Sequence, residues 1–418
     1  MRARAVENVN GAGGVILTSV LLFAFALALY ATRLETRDLT REEMEIASAA
    51  SALAANDLRD ADGRFMPLFV RSASGNGLPP LPVYAAAVSQ RVWWMSPTRI
   101  RWVAALTGAV NLVLLYILAR RVFDSAALAA VASILLLLTP AYVTYSRSVT
   151  QDGVWQLPFV TAWLIGFAAF AERSTAPRHW QLAAAVAALG AAIYSAPSAA
   201  IMVVILLALT AWIGWRFGIR RNAFLWAGVA LFLTLSPAFV WLLRHPAMYA
   251  DTFGSWLVHP AHIRNPIDWL TTLTNWESLT VIVDVFWDFF SPSHLFVNDQ
   301  SPGMAGVFLL PMIVPMIVGA RETLRAKPGG AGRRVVLVIA LYGFVLAGLI
   351  GATFKEPRAI QRALVVAIFG ALLATRGFES LSDSKTFGAR LMVTVLFAAA
   401  LVQFFAWYSH AMLAANPT

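Results

Sequence analysis

Apolar residues run along this chain in long continuous blocks, separated by short polar or basic stretches. The blocks do not alternate with a period of two, so they read as helices and not as the strands of a barrel. A spanning helix needs about 20 predominantly apolar residues. Blocks of that kind lie at about 14–32, 101–119, 124–145, 153–171, 180–196, 198–215, 222–243, 303–320, 335–353, 359–375 and 388–408. The run 180–215 is too long for one span, and Pro197 in "YSAPSAA" divides it. The pattern predicts an all-α polytopic membrane protein of about eleven transmembrane helices, with 1–418 forming a single module.

Two polar stretches, 33–100 and 244–302, are too long to be simple connections. The first contains "TREEMEIASAA", residues 40–50, and a helical pattern over 41–55. Thr40 followed by Glu43 is a capping box, and Leu39 with Met44 is placed to form the accompanying hydrophobic staple. Acids in a first turn also suit the helix dipole. Glu42 shares a side with Ile46 and Ala49, Glu43 with Ala47 and Ala50, and Glu45 is expected to face solvent. The small alanines let this helix lie close to the spans, with a first-turn carboxylate directed into a cavity between them. The second stretch carries Trp256, Trp269, Trp276 and Trp287, a density of indoles typical of the membrane–water interface. Both loops are therefore expected to carry juxtamembrane amphipathic helices.

Composition agrees: 59% of residues are hydrophobic and only 13% charged, against about 25% charged in soluble domains. A net charge of +10 would suit nucleic acid. The basic residues instead sit in short clusters between apolar blocks, as topology determinants do, so no nucleic-acid partner is expected. With the N-terminus in the cytoplasm, the cytoplasmic segments hold 17 of the 32 basic residues and 6 of the 22 acidic ones. Both long loops and most acids then lie outside, where the chemistry is expected. The first apolar run is longer than the h-region of about 7–15 residues in a signal peptide, so it reads as a retained span. Alanine- and arginine-rich composition suggests a bacterial inner (plasma) membrane. The absence of cysteine removes disulfides and thiolate chemistry.

Lesser signals read as structure. His259 and His262, near Asp251, have a metal-ligand spacing, but Pro260 between them opposes a regular helix. Asp57, Asp60 and Asp62 alternate with Arg59 and Arg64, which suggests a salt-bridged loop. Asp284 and Asp288 fall on one helix face beside Trp287, as in a wetted amphipathic helix. "GAGG" lacks the strand and the Lys-Ser/Thr of a phosphate loop.

The segments "TREEMEIASAASALAANDLRDADGRFMPLFV" and "LPPLPVY" resemble the first outer loop of the polyprenyl-phosphate-sugar-dependent glycosyltransferases of the C-type multi-spanning fold. That group includes the protein O-mannosyltransferases and the lipid A aminoarabinose transferases. Its acidic pair, usually Asp-Glu, is here Glu42-Glu43. "ARRVFDSAALAAVASILLLLTPAYVTYSRSVTQDG" is similar to the family's next spans and ends in Ser146, Arg147 and Asp152. "SPSHLFVNDQSPGMAGVFLLP" and "EPRAIQRALVVAIFGALLATRGFE" resemble its later loop and spans, with Arg358 in place of a common His and Arg362 one residue late.

The resemblance implies a glycosyltransferase that moves a sugar from a polyprenyl-phosphate donor to an acceptor hydroxyl on the periplasmic face, with inversion. A phosphate leaving group needs cationic stabilisation more than protonation, so one carboxylate base and a set of basic residues suffice. Glu42 is the implied base, with Glu43 and Asp152 completing the catalytic set. Arg358, Arg362, Lys355 and Arg147 are the implied grip on the donor phosphate. The resembling segments also put Asp62, Arg64, Tyr84 and His294 around the substrate cavity. No metal ligand set and no obligatory cofactor is implied, and a divalent cation at Asp152 is compatible. The lipid bilayer and the lipid-linked sugar are the expected partners, and the acceptor can be protein, lipid or glycan. A flippase for a lipid-linked substrate, or a catalytically silent partner subunit of the same fold, are the alternatives. The transferase reading requires Glu42 and Asp152 close together, with Arg358 or Arg362 within reach of a lipid phosphate.

Overall fold

The structure is a computed structural model that describes residues 2–35, 38–60, 63–72, 75, 77–93, 99–172, 179–219, 221–245, 271, 274–297, 306–325, 331–352 and 360–413. In chain order its helices are α1 (Arg2–Ala31), α2 (Arg41–Ala55), α3 (Pro80–Trp93), α4 (Arg101–Phe123), α5 (Ala126–Leu137), α6 (Pro140–Tyr145), α7 (Leu157–Ala171) and α8 (His179–Ala191). They continue as α9 (Ala199–Arg216), α10 (Arg221–Arg244), α11 (Trp276–Phe289), α12 (Ile313–Arg325), α13 (Ala331–Ala352), α14 (Val365–Ser382) and α15 (Phe387–Leu413). Between α2 and α3 a two-residue hairpin pairs Val70–Arg71 with Gly77–Leu78, antiparallel.

Among the described residues, eight helices are long and apolar enough to cross a membrane: 13–31, 101–123, 154–171, 199–216, 221–244, 332–352, 365–382 and 387–411. They fall on eight of the eleven expected spans. The other three expected spans coincide with shorter helices. The expected span 124–145 is broken into α5 and α6 at Pro140, which has no amide hydrogen to continue the ladder. The expected span 180–196 is α8 followed by a 3-10 turn at Ala192–Tyr194, and 303–320 begins as a 3-10 turn at Leu310–Met312 before α12. The expected span 359–375 is displaced. Residues 360–364 form turns, and α14 runs on to Ser382. Glu379 near its end is paired by Arg376 and Arg333, so charge there does not terminate the helix.

These pairs also show how the ends of the bundle are sorted. Arg121 faces Glu172, Arg333 lies over the Phe123 ring, and Arg333 and Arg376 share Glu379. Segments expected to be cytoplasmic thus meet one another at one end. Helices α2 and α3 pack together at the other end, against the start of α4. In the second long loop α11 buries Ser278, Ile282, Val285 and Phe289 toward α13 and leaves Trp276 and Trp287 exposed, as interfacial anchors. Trp256 and Trp269 lie outside the described residues.

Two close helix approaches hold the bundle. A Cβ at Gly319 of α12 would strike the Leu373 carbonyl of α14, and a Cβ at Gly377 of α14 would strike the Pro315 carbonyl of α12. Small residues at membrane crossings permit this backbone contact. Gly319→Ala or Gly377→Ala will therefore force the two helices apart, at a cost of about 1–3 kcal/mol. The melting midpoint in detergent should fall for both and hold for Gly228→Ala, where a Cβ meets nothing within 4 Å.

A buried polar chain fixes the segment beneath the candidate site. Thr161 Oγ1 donates to Asn111 Oδ1 at 2.8 Å, Asn111 Nδ2 donates to Tyr142 Oη at 3.3 Å, and Tyr142 Oη donates to the Gly108 carbonyl at 2.6 Å. It ties α4, α6 and α7 together, each member satisfied inside an apolar core. Gly108 lets Ser146, the residue after α6, sit directly on α4, where a Cβ would strike its hydroxyl. The loop that follows, 147–153, starts from this fixed point.

Candidate active site

Helix α2 begins as its sequence dictates. The Thr40 hydroxyl accepts from Glu43 N at 3.3 Å, and the Glu43 carboxylate accepts from Thr40 N at 3.0 Å, a complete capping box. The staple is not formed in the expected way: Leu39 packs on the core, but Met44 is 52% exposed. Glu45 is not a solvent-facing neighbour either. It pairs with Arg41 at 3.7 Å and its side chain is only 17% exposed.

Glu43 is fully buried. Arg101 donates to it from both Nε (2.8 Å) and Nη2 (2.7 Å), and Val149 N adds a bond at 3.1 Å to Oε1. Arg101 is the first residue of α4, where the helix dipole disfavours a cation. The bidentate carboxylate offsets that and orients the guanidinium, which also donates to the Leu34 and Asp38 carbonyls. Burial alone would push the Glu43 carboxyl up. The Arg101 and Thr40 hydrogen bonds, the Arg101 charge and the Val149 bond outweigh it and hold the carboxyl below its ordinary range. Glu43 is thus an anion at neutral pH that joins α2, α4 and the 147–153 loop.

Glu42 stands on the next position and differs in kind. It is half-buried, and its Oε1 accepts from Gln151 N at 2.6 Å. Both carboxylates of the pair therefore hold backbone amides of the loop that bears Asp152. Asp152 itself is 1% exposed. Its Oδ1 accepts from Ser198 N (3.0 Å) and Ser198 Oγ (2.5 Å), and Oδ2 accepts from Arg362 Nε at 3.3 Å. The loop is pinned again by Gly153 N donating to the Gln361 carbonyl (3.0 Å) and by Gln156 Nε2 donating to the Arg362 carbonyl (3.0 Å). Gly153 takes a φ of 88°, a conformation that suits glycine and lets the chain turn tightly after Asp152.

The structure thus brings Glu42, Glu43, Asp152 and Arg362 onto one loop, with Glu43 and Arg362 each held in a buried ion pair. Arg362 is 2% exposed and engaged with Asp152, so it sits in the interior instead of at an open phosphate site. Glu43 is committed to Arg101. Arg147 serves other partners: it donates to the Thr32 carbonyl (2.6 Å) and to Tyr408 Oη (3.3 Å), and lies over the Tyr408 ring. Lys355, Arg358 and Asp62 lie outside the described residues, as do His259, His262 and Asp251.

The expected cavity residues are placed separately. Arg64 caps a tight turn with Asp60, whose Oδ1 accepts Arg64 N at 2.8 Å and whose Oδ2 lies 3.9 Å from the guanidinium. With Asp57 paired to Arg91, this is the salt-bridged loop its alternating charges suggest. Tyr84 donates to the Pro67 carbonyl at 2.8 Å, fastening α3 to that loop, and burial pushes its hydroxyl up to about 12, helped by the Asp60 charge. His294 is buried against Phe289 at the end of α11. Asp152 has its carboxylate occupied by Ser198 and Arg362, and among the described residues no three His, Asp or Glu side chains gather to hold a metal ion.

Two partners were not singled out from sequence, Arg101 and Ser198. Arg101 had a signal: a cation opening an apolar span needs an acid nearby. Ser198 had none, because its contact to Asp152 is made across 46 residues.

Comparison with known proteins gives a consistent picture. Residues 78–241 match the family model described as dolichyl-phosphate-mannose-protein mannosyltransferase. Curated protein sequences give no match. Among solved structures, ArnT from Cupriavidus metallidurans bound to undecaprenyl phosphate superposes with a TM-score of 0.58 at 16% identity, covering 94% of this chain and 74% of that one. Its apo state gives 0.54 at 15% identity, covering 96% and 75%. The Archaeoglobus fulgidus oligosaccharyltransferase in the apo form gives 0.55 at 13% identity, covering 96% of this chain but 56% of that longer one. The chain thus has the multi-spanning fold of these membrane proteins, and its residues 78–241 are similar to the mannosyltransferase family.

Proposed function

We propose that the protein transfers a sugar from a polyprenyl-phosphate donor to an acceptor hydroxyl, with inversion, and that Glu42 is the general base. The acceptor side is the face that carries α2, assigned by the basic-residue pattern to the periplasmic face of an inner membrane. One observation carries the reading. Of the three carboxylates gathered on the 147–153 loop, Glu43 and Asp152 are buried and consumed by arginines, while Glu42 alone is partly open to solvent. A base must reach the proton it takes.

In this reading Glu42 removes the acceptor hydroxyl proton as the oxygen attacks the anomeric carbon. The bond from that carbon to the phosphate oxygen breaks, and the phosphate leaves with the electron pair. Lys355 and Arg358 neutralise it. Asp152 and Arg362 position the loop. The ArnT structure that shares the fold is bound to undecaprenyl phosphate, which supports a donor of this class.

The test supplies purified protein with polyprenyl-phosphate-linked sugars and extracted acceptors, and follows release of the polyprenyl phosphate. Release that depends on acceptor and is lost in Glu42→Gln supports the reading. Equal release by wild type and variant removes Glu42 from the role.

A further inference from the structure

Pro237 lies inside α10, a spanning helix in which only Ala223, Ala227 and Ala238 are buried. A proline has no amide hydrogen, so the Leu233 carbonyl, four residues earlier, loses its ladder donor. Ser236 Oγ donates to that carbonyl at 2.9 Å. Side chains of this kind make a proline tolerable in a membrane helix. The next rung is served from outside the helix. Tyr194 Oη donates to the Thr234 carbonyl at 2.6 Å and accepts from Ala238 N at 3.3 Å. In a regular helix those two groups pair with each other, and here the hydroxyl bridges them. A proline and an inserted side chain are common causes of a helix bend, and in α10 they coincide.

We propose that Tyr194 is a positioning residue for Asp152: its hydroxyl transmits the stance of α10 to the loop that gathers the carboxylates. The coupling is a property of the fold, and its consequence for sugar transfer rests on the function proposed above.

Two routes run from Tyr194 to Asp152. Tyr194 closes the 3-10 turn Ala192–Tyr194, which packs on a second 3-10 turn, Val154–Gln156, just after Asp152. Further along the chain, Ser198 gives its amide (3.0 Å) and its hydroxyl (2.5 Å) to Asp152 Oδ1. The residues between are held stiffly. Ser195, Ala196, Pro197 and Ser198 are all buried. Ser195 N and Oγ both bond back to the Ala192 carbonyl, at 2.8 and 2.6 Å, and the Pro197 ring fixes its own backbone. Among the described residues Tyr194 supplies the hydrogen bonds between this segment and α10. At the far end of the route, the amide next to Asp152, Gln151 N, is the one that Glu42 accepts at 2.6 Å. A shift at Ser198 therefore reaches the Glu42 carboxylate.

The α10 side of the contact is a fixed point. Helix α8 packs along α10, and a Cβ at Gly190 would meet Leu231 Cδ1 at 3.0 Å and Thr234 Cγ2 at 3.4 Å. Beyond Ala238, residues 239–244 are exposed or half-buried. The Tyr194 hydroxyl thus sits where the packed part of α10 gives way to its outer end. Ser236 repairs the same proline break without touching the 192–198 segment, so local repair and transmission can be separated.

The test measures amide hydrogen exchange over 147–156 in the full chain, purified in detergent. Tyr194→Phe keeps the ring and lets Thr234 and Ala238 pair directly. A melting midpoint close to that of wild type checks that it folds. Exchange at 149–153 should quicken by about 3- to 10-fold, the equivalent of one lost hydrogen bond. Ser198→Ala, at the other end of the route, should quicken it at least as much. Ser236→Ala should leave it unchanged. In sugar transfer, kcat of Tyr194→Phe should fall by a similar factor while KM for the donor holds. Wild-type exchange at 149–153 in Tyr194→Phe overturns the coupling. Equal quickening in Ser236→Ala also overturns it, because the break in α10 and not the hydroxyl would then be responsible. Quickened exchange with an unchanged kcat overturns the positioning role. If wild type transfers no sugar, the function proposed above fails, and the exchange result alone upholds or overturns the coupling.

Discussion

Arg101→Met should lower the stability of the folded protein by about 3–5 kcal/mol. The substitution leaves Glu43 fully buried without its bidentate partner. It also releases the Leu34 and Asp38 carbonyls, which anchor the chain between α1 and α2. An uncompensated buried charge costs more than the pair is worth against an apolar replacement. The double variant Arg101→Met with Glu43→Leu should therefore be less damaged than the sum of the singles, although it still loses the amide contacts to Thr40 and Val149. The acid limb carries the same signature. Because the Glu43 carboxyl is held below its ordinary value of 4.5, the stability it contributes is complete above that value and is lost as pH falls through the lowered one. Thermal melts in detergent between about pH 3 and 7 should show this loss in wild type and not in the double variant. A single Arg101→Met that melts like wild type would mean the pair is structurally idle.

The same pair marks the boundary of what the chain discloses by itself. Seven of the eight spans were readable to within four residues, and the eighth, 359–375, only to within seven, because apolar blocks of span length have few other uses in a polypeptide. The errors came where a local feature overrode the block: Pro140 splitting 124–145, and Glu379 remaining inside α14 because Arg333 and Arg376 neutralise it. The capping box at Thr40 was readable because it is local, three residues wide. Which acid of the pair is anchored and which is open was not. Glu43 finds Arg101 across 58 residues and Val149 across 106, and Asp152 finds Arg362 across 210. Pairings of that span are set by how the helices pack, and nothing in the local pattern encodes them. That is why Arg362 reads in sequence as a phosphate ligand and lies in the structure as the counter-ion of Asp152.

The sharpest consequence falls on Glu42. Glu42→Gln should reduce sugar transfer by about 10²- to 10⁴-fold, the contribution expected of a positioned general base. The glutamine keeps the length and an Oε1 that can accept the Gln151 amide, so the 147–153 loop stays in place. It cannot take a proton. The loss should therefore appear in kcat with little change in KM for the donor, since phosphate binding is untouched. Glu42→Asp separates distance from chemistry. It keeps the charge and shortens the side chain by one methylene, matching the residue usual in the resembling transferases, so it should fall between wild type and Glu42→Gln. Glu43→Gln should behave differently, losing stability first, because its carboxylate holds Arg101 and two backbone amides and reaches no solvent. If Glu43→Gln abolishes transfer in a protein that melts like wild type while Glu42→Gln turns over normally, the two acids have been assigned the wrong way round, since burial and pairing would then not have decided which one can act as a base.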